Sequence, residues 1–414
     1  MPLPTVLLVA ASLYVAPGTA DAHPSVDSAR LRAPDPRGPS HRLTSAAEAG
    51  LSAVALIRAE EAVHAELQRG AFPGAALAIG RGSDVVLEQG LGTVGRGGWD
   101  GEAVDPDRTV YDLASLTKVV GTTTAVMLLV EDGRMRLDDP VAAYLPEFGG
   151  GERDQVTVRH LLTHTSGLPA GIDVPAGLTP QEALLRAMRA PLAGRPGMRV
   201  DYSDVGFVVL YAAAERAAGE PLYRLLDRRV FEPLQMRSTG WWFGDGCRRC
   251  AGTSRAHGDA FRGHVHDPIS RRLGGVAGNA GLFSTAHDLA RFAAMLANGG
   301  ELDGERVLRA STVRLFTQRQ PGTGTRALGW DTPSRSGSGA AGSRVSDGSF
   351  GHTGYTGTSI WVDPVRRTWV VLLANRTYDT DGNNRMQALR RTVHDHVAES
   401  ADMGARYGYG ANGS

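Results

Sequence analysis

Ser115 and Lys118 stand three residues apart in "YDLASLTKVVGTTTAVMLLVEDG", and Lys118 is the sole lysine in a chain of 414 residues. All the other basic side chains among its 44 Lys plus Arg are arginines. Position 118 therefore asks for something a guanidinium cannot supply. An ammonium can give up its proton when burial or a neighbouring positive field demands it, whereas an arginine stays charged. Serine and lysine at this spacing share one face of a helix. The apolar run that follows predicts that both sit in the first turn of a buried helix. There the exposed backbone N–H groups favour an alkoxide and are expected to lower the lysine pKa. The chemistry offered is a hydroxyl nucleophile beside an amine able to take its proton.

Two further stretches carry groups of the same kind. "MRVDYSDVGF" places Tyr202 and Asp204 at the start of a predicted helix, and "FGHTGYTGTSIWVDP" places His352, Thr353 and Gly354 at the start of a predicted strand. His160 and His164 lie four apart on another predicted helix, with no glutamate following as a zinc hydrolase would need, and read as structural. "HVHD" (264–267) reads as a loop fixed by histidine hydrogen bonds, with a metal site as the alternative. No cofactor is expected. Trp241 and Trp242 either wall a cleft or pack, and "LGWDTPS" (328–334) is placed at the border of a substrate pocket.

With these motifs in chain order, the sequence resembles the serine β-lactamase and penicillin-binding-protein superfamily. The closer resemblance is to its class C-like branch, which includes DD-peptidases and esterases. Ser-x-x-Lys stands here as "SLTK", Tyr-x-Asn as "YSD" and Lys-Thr-Gly as "HTG". "HLLTHTSGLP" (160–169) and "VHDPISRRLGGVAGNAGLFSTAHDLARFAAML" (265–296) also look like segments of these proteins, so the resemblance runs from about 51 to about 398.

The resemblance implies that Ser115 attacks a carbonyl carbon and forms an acyl-enzyme, and that Lys118 holds or removes its proton. Tyr202 would shuttle a proton to the leaving group; sequence leaves open which of the two is the base. Backbone N–H groups of Ser115 and Tyr355 would form the oxyanion hole. Gly354 fits a place where substrate backbone approaches the strand. Two departures bear on substrate. His352 replaces the usual lysine and removes a permanent positive charge facing a substrate carboxylate. Asp204 replaces the usual asparagine; it accepts a hydrogen bond from Lys118 and holds that proton more firmly, but cannot donate to a substrate carbonyl.

These residues need a scaffold, and the bulk composition allows one. Apolar residues make up 42% and charged residues 21%, an ordinary balance for a well-cored protein. Zero net charge and no basic block make nucleic acid an unsuitable partner. "GAALAIGRGSDVVLEQGLG" near the start and "GTSIWVDPVRRTWVVLLANR" near the end each predict two strands around a turn. Residues 51–67 and "NRMQALRRTVHDHVA" predict helices at the two ends. The expected fold is α/β (α+β): an antiparallel sheet flanked by helices, with a mostly helical insertion, as in β-lactamases and transpeptidases. Its α/β part is assigned to about 49–135 and 270–398, and its helical part to about 136–269.

The ends read differently. Residues 1–22 carry a short apolar run and Ala20-Asp21-Ala22, the form of a signal-peptidase site, although no Lys or Arg precedes the run. Residues 23–48 are expected to be a flexible lead-in, 334–349 a mobile loop, and 399–414 a disordered tail. Cys247 and Cys250 predict a local disulfide. The composite expectation is a secreted or periplasmic serine hydrolase, without stable membrane insertion once the leader is removed. Its substrate would be a small ester, a peptidoglycan peptide or a β-lactam. The competing readings are a penicillin- or peptidoglycan-binding sensor that acylates without turning over, and a metal-dependent hydrolase built on "HVHD".

Overall fold

The structure is a computed structural model that describes residues 43–408, apart from 97–100, 242, 244–246, 256, 258–260, 335, 338 and 380–384. The expected leader, most of the lead-in and Trp242 lie outside the described residues.

Five strands form the main sheet: β1 (Gly74–Arg81), β2 (Asp84–Gly92), β8 (Phe350–Thr353), β9 (Ser359–Asp363) and β10 (Thr368–Ala374). Their spatial order is β2-β1-β10-β9-β8, antiparallel throughout, so a strand from each end of the chain meets at the centre. The centre of this sheet is buried on both faces, and the period-2 alternation of strands decides which side chain goes where. Leu77, Ile79, Val370 and Leu372 point to one face, where α1 (Ala53–Gln68) and α10 (Arg385–Tyr407) cover them with Leu56, Val63, Leu389 and Val393. Ala76, Ala78, Val371 and Leu373 point to the other and join the larger core. That core takes Leu289 and Phe292 from α8 (Ala286–Ala297).

Three strands make a second, small sheet: β3 (Tyr111–Asp112), β4 (Gly240–Trp241) and β5 (Leu282–Ser284), in the order β3-β5-β4. β6 (Glu301–Leu302) and β7 (Glu305–Arg306) form a hairpin. Helices α2 (Thr124–Glu131), α3 (Val158–Leu162), α4 (Pro180–Met188), α5 (Asp204–Ala218) and α6 (Leu222–Leu226) lie largely in the segment expected to be helical. Short α7 (Pro268–Arg272) leads toward β5, and α9 (Ala310–Thr317) follows the hairpin. The stretch Ala114–Glu131 is long and apolar enough to cross a membrane by composition, yet 83% of it is buried inside the protein. It is a core element here. Trp241 is buried beside Tyr211 and packs rather than walling the cleft, and Cys247 and Cys250 form a disulfide.

Several expectations are corrected. His164 does not share a helix with His160, because α3 ends at Leu162 and His164 adopts a positive φ of 57°. His352 and Thr353 close β8 rather than open a strand, and Gly354 begins the turn into β9. The lead-in is not flexible at its described end: Leu43 bridges Val85, and the Thr44 N–H donates to the Val85 carbonyl at 2.9 Å. Nor are the described parts of 334–349 unattached. The N–H groups of Ser343 and Arg344 donate to Asp395 at 2.7 and 2.8 Å, and the Ser346 hydroxyl to Asp363 at 2.6 Å.

The tail is the clearest case. α10 runs to Tyr407, so 399–407 is helical instead of disordered. Small residues explain it. Ser400 is buried and exchanges hydrogen bonds with Ser52, and Gly404 sits so close to Gly50 that a Cβ would lie 2.0 Å from its carbonyl oxygen. Overpacking such a contact costs about 1–3 kcal/mol. Gly404→Val is therefore expected to lower the thermal midpoint clearly, and an unchanged midpoint would show that this end of α10 is not packed.

Candidate active site

Ser115 is carried by a single 3₁₀ turn, Ala114–Leu116, and not by the first turn of an α-helix as expected. Lys118 then opens a π-helical segment, Lys118–Thr123, which runs into α2. Such segments are rare and concentrate at functional sites. Ala114 has φ of +46°, a left-handed conformation that alanine rarely adopts. The turn is held from both sides. The Asp112 carboxylate accepts the Ala114 N–H at 2.8 Å, and the Thr117 hydroxyl accepts the Leu282 N–H at 3.1 Å.

Lys118 is fully buried, and its Nζ has three acceptors. They are Ser115 Oγ at 2.9 Å, Asp204 Oδ1 at 2.6 Å and the Asn279 carbonyl at 3.0 Å. Three acceptors match the three protons of an ammonium. Burial works against that charge, but Tyr202 and Asp204 outweigh it by charge and hydrogen bonding, so the lysine pKa is raised. This reverses the expectation of a lowered pKa. The positive field of a helix start is outweighed by Tyr202 and by an aspartate in contact.

Tyr202 and Asp204 flank Ser203, whose hydroxyl caps α5 by accepting the Gly206 N–H at 2.9 Å. Asp204 is the first residue of α5, and its N–H is fixed by the Ala170 carbonyl at 2.9 Å. The Tyr202 ring lies close to two cations, with Lys118 Nζ 5.0 Å and the Arg326 guanidinium 5.3 Å from its centroid. His164 packs against the same ring at 4.4 Å, and its Nδ1 accepts the Ser203 N–H at 3.1 Å. Burial, with Arg326 and Lys118 nearby, holds His164 well below the usual imidazole pKa. It is a neutral prop.

His352 is buried at the end of β8, and its Nδ1 pairs with the Thr353 carbonyl at 2.9 Å. Burial, then Arg326 and Lys118, push its pKa well below the ordinary value, so it too is neutral. Gly354 is required by close packing: a Cβ there would sit 2.4 Å from the Leu113 carbonyl oxygen, next to the nucleophile turn. The turn after it is held by Arg390 of α10, which donates to the Gly354 and Thr358 carbonyls at 3.0 and 2.8 Å. The exposed Tyr355 ring stacks on His266, with centroids 5.8 Å apart.

These groups line a cleft of about 330 Å³, with Ser115, Tyr202, Thr353, Gly354 and Tyr355 on its walls. The structure thus places Ser115, Lys118, Tyr202, Asp204, His352, Thr353, Gly354 and Tyr355 around one opening. It adds residues that sequence reasoning missed: Asn279, Arg326 and Arg390. Asn279 acts through its carbonyl and leaves no side-chain signal. Arg326 is one arginine among many; a bridge to Asp331, itself bridged to Gly351, sets it beside β8. Asp331, in the stretch expected to border the pocket, lines the cleft. Among the described residues no three His, Cys, Asp or Glu side chains stand close enough to hold a metal ion. Asp267 of "HVHD" instead caps α7 by accepting the Ser270 N–H at 2.7 Å.

The Beta-lactamase family model matches residues 59–394. A protein of Salmonella schwarzengrund (strain CVM19633) that carries the provisional name D-alanyl-D-alanine carboxypeptidase is 30% identical over 354 residues, 76% of this chain and 81% of its own. Two solved structures share the fold. A penicillin-binding-protein homologue from Caulobacter crescentus aligns with a TM-score of 0.70 at 22% identity, over 84% of this chain and 98% of its own. EstCE1, a hydrolase with promiscuous acyltransferase activity, aligns with a TM-score of 0.68 at 24% identity, over 83% and 99%. The ordered motifs and the family match agree, and the chain belongs to the Beta-lactamase family of serine hydrolases.

Proposed function

We propose that this protein hydrolyses an ester or amide through an acyl-enzyme on Ser115, in the manner of a D-alanyl-D-alanine carboxypeptidase or a carboxylesterase. The single observation that carries this reading is the contact of a buried lysine Nζ with the Ser115 hydroxyl at 2.9 Å on the wall of an open cleft. Ser115 Oγ bonds to the carbonyl carbon while the carbonyl oxygen takes up negative charge, facing the N–H groups of Ser115 and Tyr355. Lys118, held as an ammonium, fixes the attacking oxygen. Tyr202, whose ring centroid lies 5.0 Å from the same ammonium, accepts the serine proton at its hydroxyl as it gives its own to the leaving group. Water then releases the acyl group by the reverse path. The provisional name of the Salmonella relative supports the peptidase side of this reading, and the EstCE1 fold is compatible with the esterase side.

Export belongs to the same proposal. The apolar leader with Ala20-Asp21-Ala22 and the Cys247–Cys250 disulfide both suit a secreted or periplasmic protein.

Ser115→Ala is expected to abolish hydrolysis of p-nitrophenyl acetate and any mass adduct on the protein; surviving activity would remove the reading. Lys118→Arg is expected to be about as damaging as Lys118→Ala, each costing on the order of 10³-fold in kcat. A planar guanidinium cannot aim three protons from one nitrogen at Ser115, Asp204 and Asn279. An arginine variant with near-normal kcat would refute that geometry. Arg326 supplies the cation that His352 does not. Arg326→Ala should therefore lower kcat/KM for a D-Ala-D-Ala peptide by roughly 10- to 100-fold, the size of a hydrogen bond to a charged group. Its effect on a neutral acetate ester should be under about threefold. Equal losses on both substrates would show that Arg326 does not read a carboxylate.

A further inference from the structure

We propose that Asp112 is a positioning residue for the oxyanion site, tying the backbone before Ser115, the turn of Tyr355 and the loop of His266 into one unit. The inference rests on the acyl-enzyme reading of Ser115.

Asp112 closes β3 and is 2% exposed. Each of its three oxygens has a different backbone segment to hold. Oδ1 accepts the Ala114 N–H at 2.8 Å and Oδ2 the His266 N–H at 2.7 Å, while its carbonyl accepts the Thr356 hydroxyl at 2.7 Å. The neighbouring Leu113 carbonyl accepts the Thr358 hydroxyl at 2.9 Å, a second tie to the same turn. The first contact sustains the positive φ of Ala114, immediately before the nucleophile. The second fixes His266, which stacks on Tyr355 at an interplanar angle of 27°. The third fixes the residue after Tyr355. The segments of both N–H groups assigned to the oxyanion are thus tied to one residue, through its carboxylate and its carbonyl.

Packing alone does not account for a carboxylate here. Asp112 forms no ion pair among the described residues, and burial raises its pKa to about 6. The charged groups that bear on it are Asp267, which raises it further, and Arg271, which opposes. His266 faces it through its N–H, and β5 presents Leu282 and Phe283, which carry no charge. An unpaired buried carboxylate is costly to keep, and what this one does is hold two N–H groups at once. An asparagine of the same shape cannot do so, because its amide nitrogen would oppose one of them.

The sign of the pH effect follows. Above about pH 6 the carboxylate accepts both N–H groups; as pH falls through about 6 it gains a proton and one acceptor is spoiled. The site loosens, and catalysis weakens without loss of substrate binding, since oxyanion contacts form in the transition state.

The test is a pH profile of kcat and KM for p-nitrophenyl acetate with the wild type, Asp112→Asn and Thr356→Val, with Ser115 acylation followed by intact mass. The wild type is expected to lose kcat along an acid limb centred near pH 6 at constant KM. Asp112→Asn should lose about 10²-fold in kcat, as when an oxyanion donor is removed, with KM within about twofold and that limb absent. Thr356→Val should lose about tenfold in kcat and keep the limb. An asparagine variant within about threefold of wild-type kcat, or one that retains the limb, overturns the proposal. Should that variant fail to fold, a wild type with no limb near pH 6, or a valine variant with unchanged kcat, overturns it instead. A wild type that never acylates at Ser115 fails the parent reading and takes this one with it, and the mass measurement separates the two failures.

Discussion

The site is organised around a single nitrogen. Lys118 Nζ, fully buried, donates to Ser115, Asp204 and the Asn279 carbonyl, three positions far apart in the chain. An ammonium taken out of water without partners would cost several kcal/mol, and breaking one partner of a buried pair is strongly destabilising. The constraint therefore runs outward from the charge. The turn of Ser115, the first residue of α5 and the loop before β5 must all converge on it. The sheet β3-β5 and the Thr117–Leu282 contact hold two of those segments together, and Ser203 and His164 hold the third. The same geometry explains the sole lysine of an arginine-rich chain. Position 118 needs a compact point donor with three directions, and a planar fork does not offer one.

Lys118 keeps its importance for a different reason. Sequence physics asked for an amine that sheds its proton, and the structure surrounds it with acceptors that retain it. The difference traces to Tyr202 and to Asp204, which stands where the family pattern has an amide. A contact at 2.6 Å outweighs a diffuse helix-terminal field, since Coulomb energy grows as distance shrinks and Lys118 has no water to screen it. An ammonium kept charged in this way leaves Tyr202 as the group proposed to carry the proton.

Much of the fold was legible in the chain. β1, β9 and β10 are apolar runs bounded by turn residues, and their burial is why they read as continuous rather than alternating, whereas β2 at the sheet edge stays partly exposed. Ser115, Lys118, Tyr202 and the His352–Gly354 run were legible because they keep the residue types and the order of the family motifs. Other features left no such trace. Asn279 contributes a backbone carbonyl, Ala114 gives no hint of its positive φ, and the π-helical start at Lys118 looks like an α-helix by periodicity. Arg390 reaches the site from the last helix, and Arg326 through two isolated bridges beside β8; both are long-range placements that local pattern cannot reveal. The end of α10 was misread because Ser400 and Gly404 look like tail composition, yet smallness is what lets the helix dock on 50–52.

Because the lysine is alone in the chain, its protonation can be measured without overlap. Lysine labelled with ¹⁵N at Nζ would report one side-chain nitrogen in the whole protein. An ammonium resonance is expected, slow to exchange with water and still protonated above the ordinary lysine pKa of about 10.4. A neutral-amine resonance at pH 7, or one that exchanges as fast as free lysine, would contradict it.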